Sequence, residues 1–240
     1  FFFSSRRRHT RYIGDWSSTC ALPISIVMAA LAKKDLDRPT AEGRRVVRHE
    51  SIDRTFHWLM AASIFVLIFT GTAPILGLRI AWLNIHWISG LLLTFLIVAH
   101  IIRSMFWQDF KSMLLTPKDF SEPFDSTSKP GKYYFEQKGM HWAATVVVLA
   151  VIVTGVLMFM QIDTPFWDRT NSMPEDQLGL VFLLHGLSTL ALVALASTHI
   201  YFALRPEKIF YTRSMLAGWM SEDEMAANHD PAKWTPKEAE

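Results

Sequence analysis

Cysteine is nearly absent: the chain has one in 240 residues, Cys20. That excludes a disulfide framework and a cysteine ligand set for an iron–sulfur cluster. With no C-x-x-C-H anywhere, it also excludes haem attached through thioethers. Charge is sparse as well, at 19% of residues, and balanced, with 24 basic against 22 acidic side chains and a net charge of +2. So even a balance offers no electrostatic footprint for nucleic acid. Where charge is missing says more. Half of the residues are hydrophobic, and they gather into four blocks of about 20 residues or more, enough to cross a bilayer as helix. Almost no charge lies inside those blocks. This distribution excludes a soluble enzyme with its own active-site domain and a disordered chain.

The first residues fit neither a signal peptide nor a fold element. Arg6, Arg7 and Arg8 imitate a basic start, but Gly14, Asp15 and a Ser/Thr run follow instead of an apolar stretch. Residues 1–27 resemble a translated sequencing adapter and are expected to be a non-native leader, with Met28 as the start. Residues 28–50 then form an N-terminal tail, 51–215 the membrane domain and 216–240 a C-terminal tail.

The four spans are expected at about His57–Leu76, Trp82–Phe106, Met140–Met160 and Leu178–Leu204. Pro74 and Gly77 close the first, and Pro206 stops the fourth. Basic residues set the orientation. From residue 28 onward, seven precede span one, six lie between spans two and three, and five follow span four, while the opposite loops hold only Arg79 and Arg169. The positive-inside rule places both termini in the cytoplasm. The expected architecture is an all-α integral membrane protein, a four-helix up-down bundle.

The chain repeats itself. His57-Trp58 begins span one and His141-Trp142 begins span three, and Thr70-Gly71 and Thr154-Gly155 follow at the same offset. Span two carries His86 and His100, span four His185 and His199, both pairs 14 residues apart. Ser89 and Ser188 each stand three residues past the first His of the pair. Two copies of a helix pair are expected.

Fourteen residues is nearly four helical turns, so each pair projects from almost one face with about 21 Å between its members. His86 and His185 share the outer level. His100, His199, His57 and His141 share the inner one. Ionisable side chains in a membrane are costly and usually functional, and a neutral imidazole is a strong ligand for iron. Two imidazoles hold a haem for electron transfer, and two such haems stacked across the bundle would form a wire. Gly71, Gly90, Gly155 and Gly186 make room for a porphyrin or a close helix. His49 and His229, in polar tails, are expected to be solvated. Arg103 and Arg205, at the ends of spans two and four, suit haem propionates or plain snorkelling. A His-based proton channel or transporter would instead require carboxylates in the spans and broken helices, and the sequence has neither.

The segments IDRTFHW (Ile52–Trp58), IHWISG (Ile85–Gly90), GKYYFEQKGMHW (Gly131–Trp142), LLHGLS and THIYFALRPEK (within Leu183–Lys208) resemble the cytochrome b (gamma) subunit of membrane-bound formate dehydrogenases. That subunit belongs to the di-haem cytochrome b group that includes the cytochrome b of nickel–iron hydrogenase. The resemblance implies one b haem between His86 and His185 and another between His57 and His199. His100 is the alternative inner ligand, and a third haem on the surplus His is a further possibility. A quinone site on the cytoplasmic side is implied near Tyr134, Gln137 and Lys138. Iron–sulfur and catalytic subunits would supply electrons from outside, so chemistry on formate would lie outside this chain, which would hold only the quinone site. A bacterial inner membrane location follows. Reversed flow, from quinol to a thiosulfate or polysulfide reductase or a hydrogenase, would use the same wire.

Overall fold

The computed structural model describes residues 44–124 and 129–238. The expected leader and most of the N-terminal tail lie outside the described residues. Four long helices dominate: α1 (Ser51–Thr72), α2 (Trp82–Trp107), α3 (Phe135–Phe159) and α4 (Glu175–Ala203). Each is long and apolar enough to span a membrane, with mean hydropathy of 1.5, 2.1, 2.5 and 2.2 in its most apolar stretch. They follow the expected spans closely and extend α1, α3 and α4 upstream by polar turns. Asp53, Glu136 and the Glu175–Asp176 pair sit in those first turns, where carboxylates complement the helix dipole.

Large apolar side chains point away from the bundle. Phe65, Phe95, Val146 and Leu190 are all more than half exposed. In water such a surface would drive aggregation, whereas lipid tails solvate it without cost. What little is buried in the helices includes Ser63, Thr70 and Thr154 beside Leu93, Leu96 and Val148. Small hydroxyl residues suit close helix contacts in a membrane.

Contacts fix the topology. Asp53 near the start of α1 accepts from Arg103 near the end of α2, at 2.7 and 3.1 Å, and from Gln108 at 2.7 Å. Thr70 near the end of α1 meets His86 near the start of α2. The two helices are therefore antiparallel. α3 and α4 pair the same way, through Thr154 and His185. Within each hairpin the helices pack closely; between hairpins the closest approach is α2 against α3.

The tails are not loose. β1 (Arg45–Val47) pairs antiparallel with β2 (Trp219–Ser221) on one side and β3 (Lys237–Glu238) on the other. Two short helices, α5 (Ile209–Ala217) and α6 (Glu222–Asn228), complete a small cap around Val46, Phe210, Met220 and Met225. Gly218 ends α5 with φ +94°, and a Cβ there would stand 3.0 Å from the His49 carbonyl oxygen. Ser221 caps α6 while Glu224 reaches back to the Ser221 N–H, a reciprocal capping box.

Candidate functional site

Six histidines line the bundle in three facing pairs. At the end away from the cap, His86 of α2 faces His185 of α4 with ring centroids 6.3 Å apart and planes at 69°. At the cap end, His57 of α1 faces His199 of α4 at 6.2 Å and 57°. Also at that end, His100 of α2 faces His141 of α3 at 6.4 Å and 66°. Each pair joins one hairpin to the other.

This spacing has a chemical meaning. Two imidazoles that held one metal between them, with metal–nitrogen bonds of about 2 Å and about 1.1 Å from each nitrogen to its ring centre, would have centroids about 6.2 Å apart. The local chemistry fits a haem iron as well. Thr70 Oγ1 donates its one hydrogen to the Val66 carbonyl at 2.7 Å. Toward His86 Nδ1, 2.9 Å away, it can therefore only accept. His86 must then carry its proton on Nδ1 and present the Nε2 lone pair. Thr154 does the same for His185, donating to the Ala150 carbonyl at 2.7 Å and standing 2.8 Å from Nδ1. Fixing tautomer and ring orientation from behind is the usual task of a ligand's outer partner.

The glycines divide the work. A Cβ on Gly71 would lie 3.4 Å from His86 Cε1, and one on Gly155 would lie 3.5 Å from His185 Cε1. Both therefore make room for the imidazole of the neighbouring helix. A Cβ on Gly186 would meet nothing within 4 Å, and one on Gly90 only a Leu67 methyl at 3.9 Å.

The expected quinone candidates, Tyr134, Gln137 and Lys138, all hydrogen-bond within the chain. Lys138 Nζ is 2.7 Å from Asp119 Oδ1, and both side chains are nearly buried. Asp119 also accepts from the Thr116 N–H and hydroxyl. Burial would raise the Asp119 carboxyl, but the bonds from Lys138 and Thr116 outweigh it and hold the group below its usual range. Gln137 accepts from the Tyr134 N–H at the start of α3, and the Tyr134 hydroxyl donates to the Asn228 carbonyl. Arg103 is committed to Asp53, and Arg205 lies 3.4 Å from Glu207.

The expectation of solvated tail histidines is corrected. His229 is fully buried in the cap. Its Nδ1 donates to the Gly131 carbonyl, and its Nε2 faces Arg48 Nη1 and the Tyr211 hydroxyl, each at 3.0 Å. Burial, with the Arg48 charge beside it, pushes its pKa down to about 4. His49 is half-buried, and burial beside Arg48 pushes it down to about 2. The partners of His229 lie as far as 181 residues away, out of reach of any local pattern. The roles of Thr70 and Thr154 also escaped the sequence reading, although their place in the repeat marked them.

Four membrane-spanning helices that face imidazoles across a bundle define a class, the membrane cytochromes of b type. The chain belongs to the prokaryotic cytochrome b561 family, whose model matches residues 48–218. It is similar to the formate dehydrogenase cytochrome b556 subunit of Haemophilus influenzae, 26% identical over 212 residues, 81% of this chain and 84% of that protein. It is also similar to the formate dehydrogenase cytochrome b556(fdo) subunit of Escherichia coli K12. There the identity is 30% over 116 residues, 46% of this chain and 51% of that protein.

Proposed function

We propose that the chain is the membrane electron carrier of a respiratory oxidoreductase of formate dehydrogenase type. It would link iron–sulfur and catalytic partner subunits to the quinone pool of a bacterial inner membrane. Haem b supplies reversible one-electron chemistry when bound. His86 and His185 would hold one such group, His57 and His199 another. The observation that carries this reading is the matched separation of the two pairs, 6.3 and 6.2 Å, at levels about 21 Å apart along the helices. Thr70 and Thr154 hold the first pair's proton on Nδ1. The basic loops favour a cap on the cytoplasmic side, which leaves the segment 160–174 facing the partner subunits. Both relatives are named as cytochrome subunits of formate dehydrogenase, which supports formate as the upstream substrate.

A reduced-minus-oxidised optical spectrum of the chain purified from membranes tests the reading. Bands of b type are expected, and His185→Ala should remove one haem while the cap-end centre on His57 and His199 persists. A colourless chain, or a full haem complement in that variant, refutes the assignment.

A further inference from the structure

The third histidine pair remains without a task. His100 and His141 face each other at 6.4 Å, a spacing within 0.2 Å of the other two pairs. We propose that they would hold a third b haem, beside the one proposed for His57 and His199 at the cap end. The inference rests on the functional reading above.

The repeat makes the argument. Superposing the first helix pair on the second sends His57 to His141, His86 to His185 and His100 to His199, as the HW and Thr-Gly matches require. Under that exchange the pair His86–His185 maps onto itself. The pair His57–His199 maps onto His141–His100. A two-fold arrangement that builds one cap-end site therefore builds two. The surroundings follow the same rule. Trp58 stands edge-on to His57 at 5.2 Å and Trp142 edge-on to His141 at 5.8 Å. The Trp58 indole donates to the Met215 carbonyl, and the Trp142 indole to the Met113 carbonyl. Both anchors tie the start of a helix to an interfacial segment.

Other readings of the pair fit less well. Two histidines paired for structure would share a hydrogen bond between their rings. Among the described residues neither imidazole of His100 nor that of His141 has a hydrogen-bond partner, and at 6.4 Å the rings do not bond to each other. A bare transition metal needs three or four protein ligands, yet no group of three His, Cys, Asp or Glu able to hold one exists among the described residues. Two trans imidazoles alone suit a metal whose remaining positions are already filled, which is what a porphyrin provides.

The test is a count. Haem per chain is measured by the pyridine haemochrome of the protein purified from membranes, with protein from amino-acid analysis. Three haems are expected in the native chain and two in His100→Ala, in His141→Ala and in the double variant. The double variant should lose no more than either single one, because both substitutions empty one site. A redox titration should lose one of three waves in each. A native count of two overturns the third site but leaves the functional reading intact. So does a count of three that the double variant does not change. A chain without haem overturns both. The native count decides even where a variant fails to assemble.

Discussion

At the scale of single residues, the informative atoms stand behind the imidazoles proposed to hold haem. Thr70 and Thr154 each have one hydroxyl hydrogen, and a backbone carbonyl takes it. The oxygen is left to accept from Nδ1, which makes the imidazole a stronger electron donor through Nε2. Thr70→Val keeps the shape and removes the acceptor. Haem should bind 10- to 100-fold more weakly at the His86–His185 level, on the order seen for such outer partners. The midpoint potential of that centre should rise, because a poorer donor stabilises the oxidised iron less. The cap-end centres should not move, and an optical redox titration resolves the difference. Gly71→Leu should be worse, since a side chain there starts 3.4 Å from His86 Cε1. The sequence displayed these positions through the repeat, but only the three-dimensional arrangement shows which atom each one touches.

At the scale of elements, the cap and the α2–α3 connection depend on buried polar groups. The Lys138–Asp119 pair pins the loop at residues 114–119 to the first turn of α3. Asp119→Ala would leave the Lys138 ammonium buried without its counter-charge, a loss of about 3–5 kcal/mol for a pair this enclosed. The stability lost should appear as faster proteolysis of the α2–α3 connection. The cap should respond to acid. His229 and His49 are held neutral in the folded cap, with pKa values of about 4 and 2 against an ordinary 6.5. The unfolded segments take up protons first as pH falls, so the stability present above about pH 6.5 is lost on the way down toward pH 4. Protection of residues 44–50 and 219–229 against hydrogen exchange, taken relative to the intrinsic rate at each pH, should therefore fall between those values, and His229→Gln should flatten the response. None of this was legible locally. The spans announced themselves through length and apolarity, which the bilayer imposes on each helix separately. The cap rests on strands of two or three residues and on hydrogen bonds between chain segments far apart, so its sequence read as two polar tails.

At the scale of the whole molecule, the two hairpins meet where α2 packs on α3 and across three facing histidine pairs. α1 packs on α2 and α3 on α4, while α4 faces α1 at His57–His199 and α2 at His86–His185. Little of each span is buried against its neighbours, and lipid gives no hydrophobic drive to close the gap. Binding that occurs only in the assembled state stabilises that state, so haem should act as the mortar between hairpins. Chain made under haem starvation should insert, because each hairpin satisfies its own backbone hydrogen bonds. A disulfide probe between α2 and α4, built from paired cysteines near His86 and His185 after Cys20→Ser, should then form slowly and heterogeneously. Haem added back should make it form quickly and in one register. Equal cross-linking with and without haem would mean that the helices hold one another without it. The six facing imidazoles would then be passengers in a bundle already made, rather than the contacts that close it.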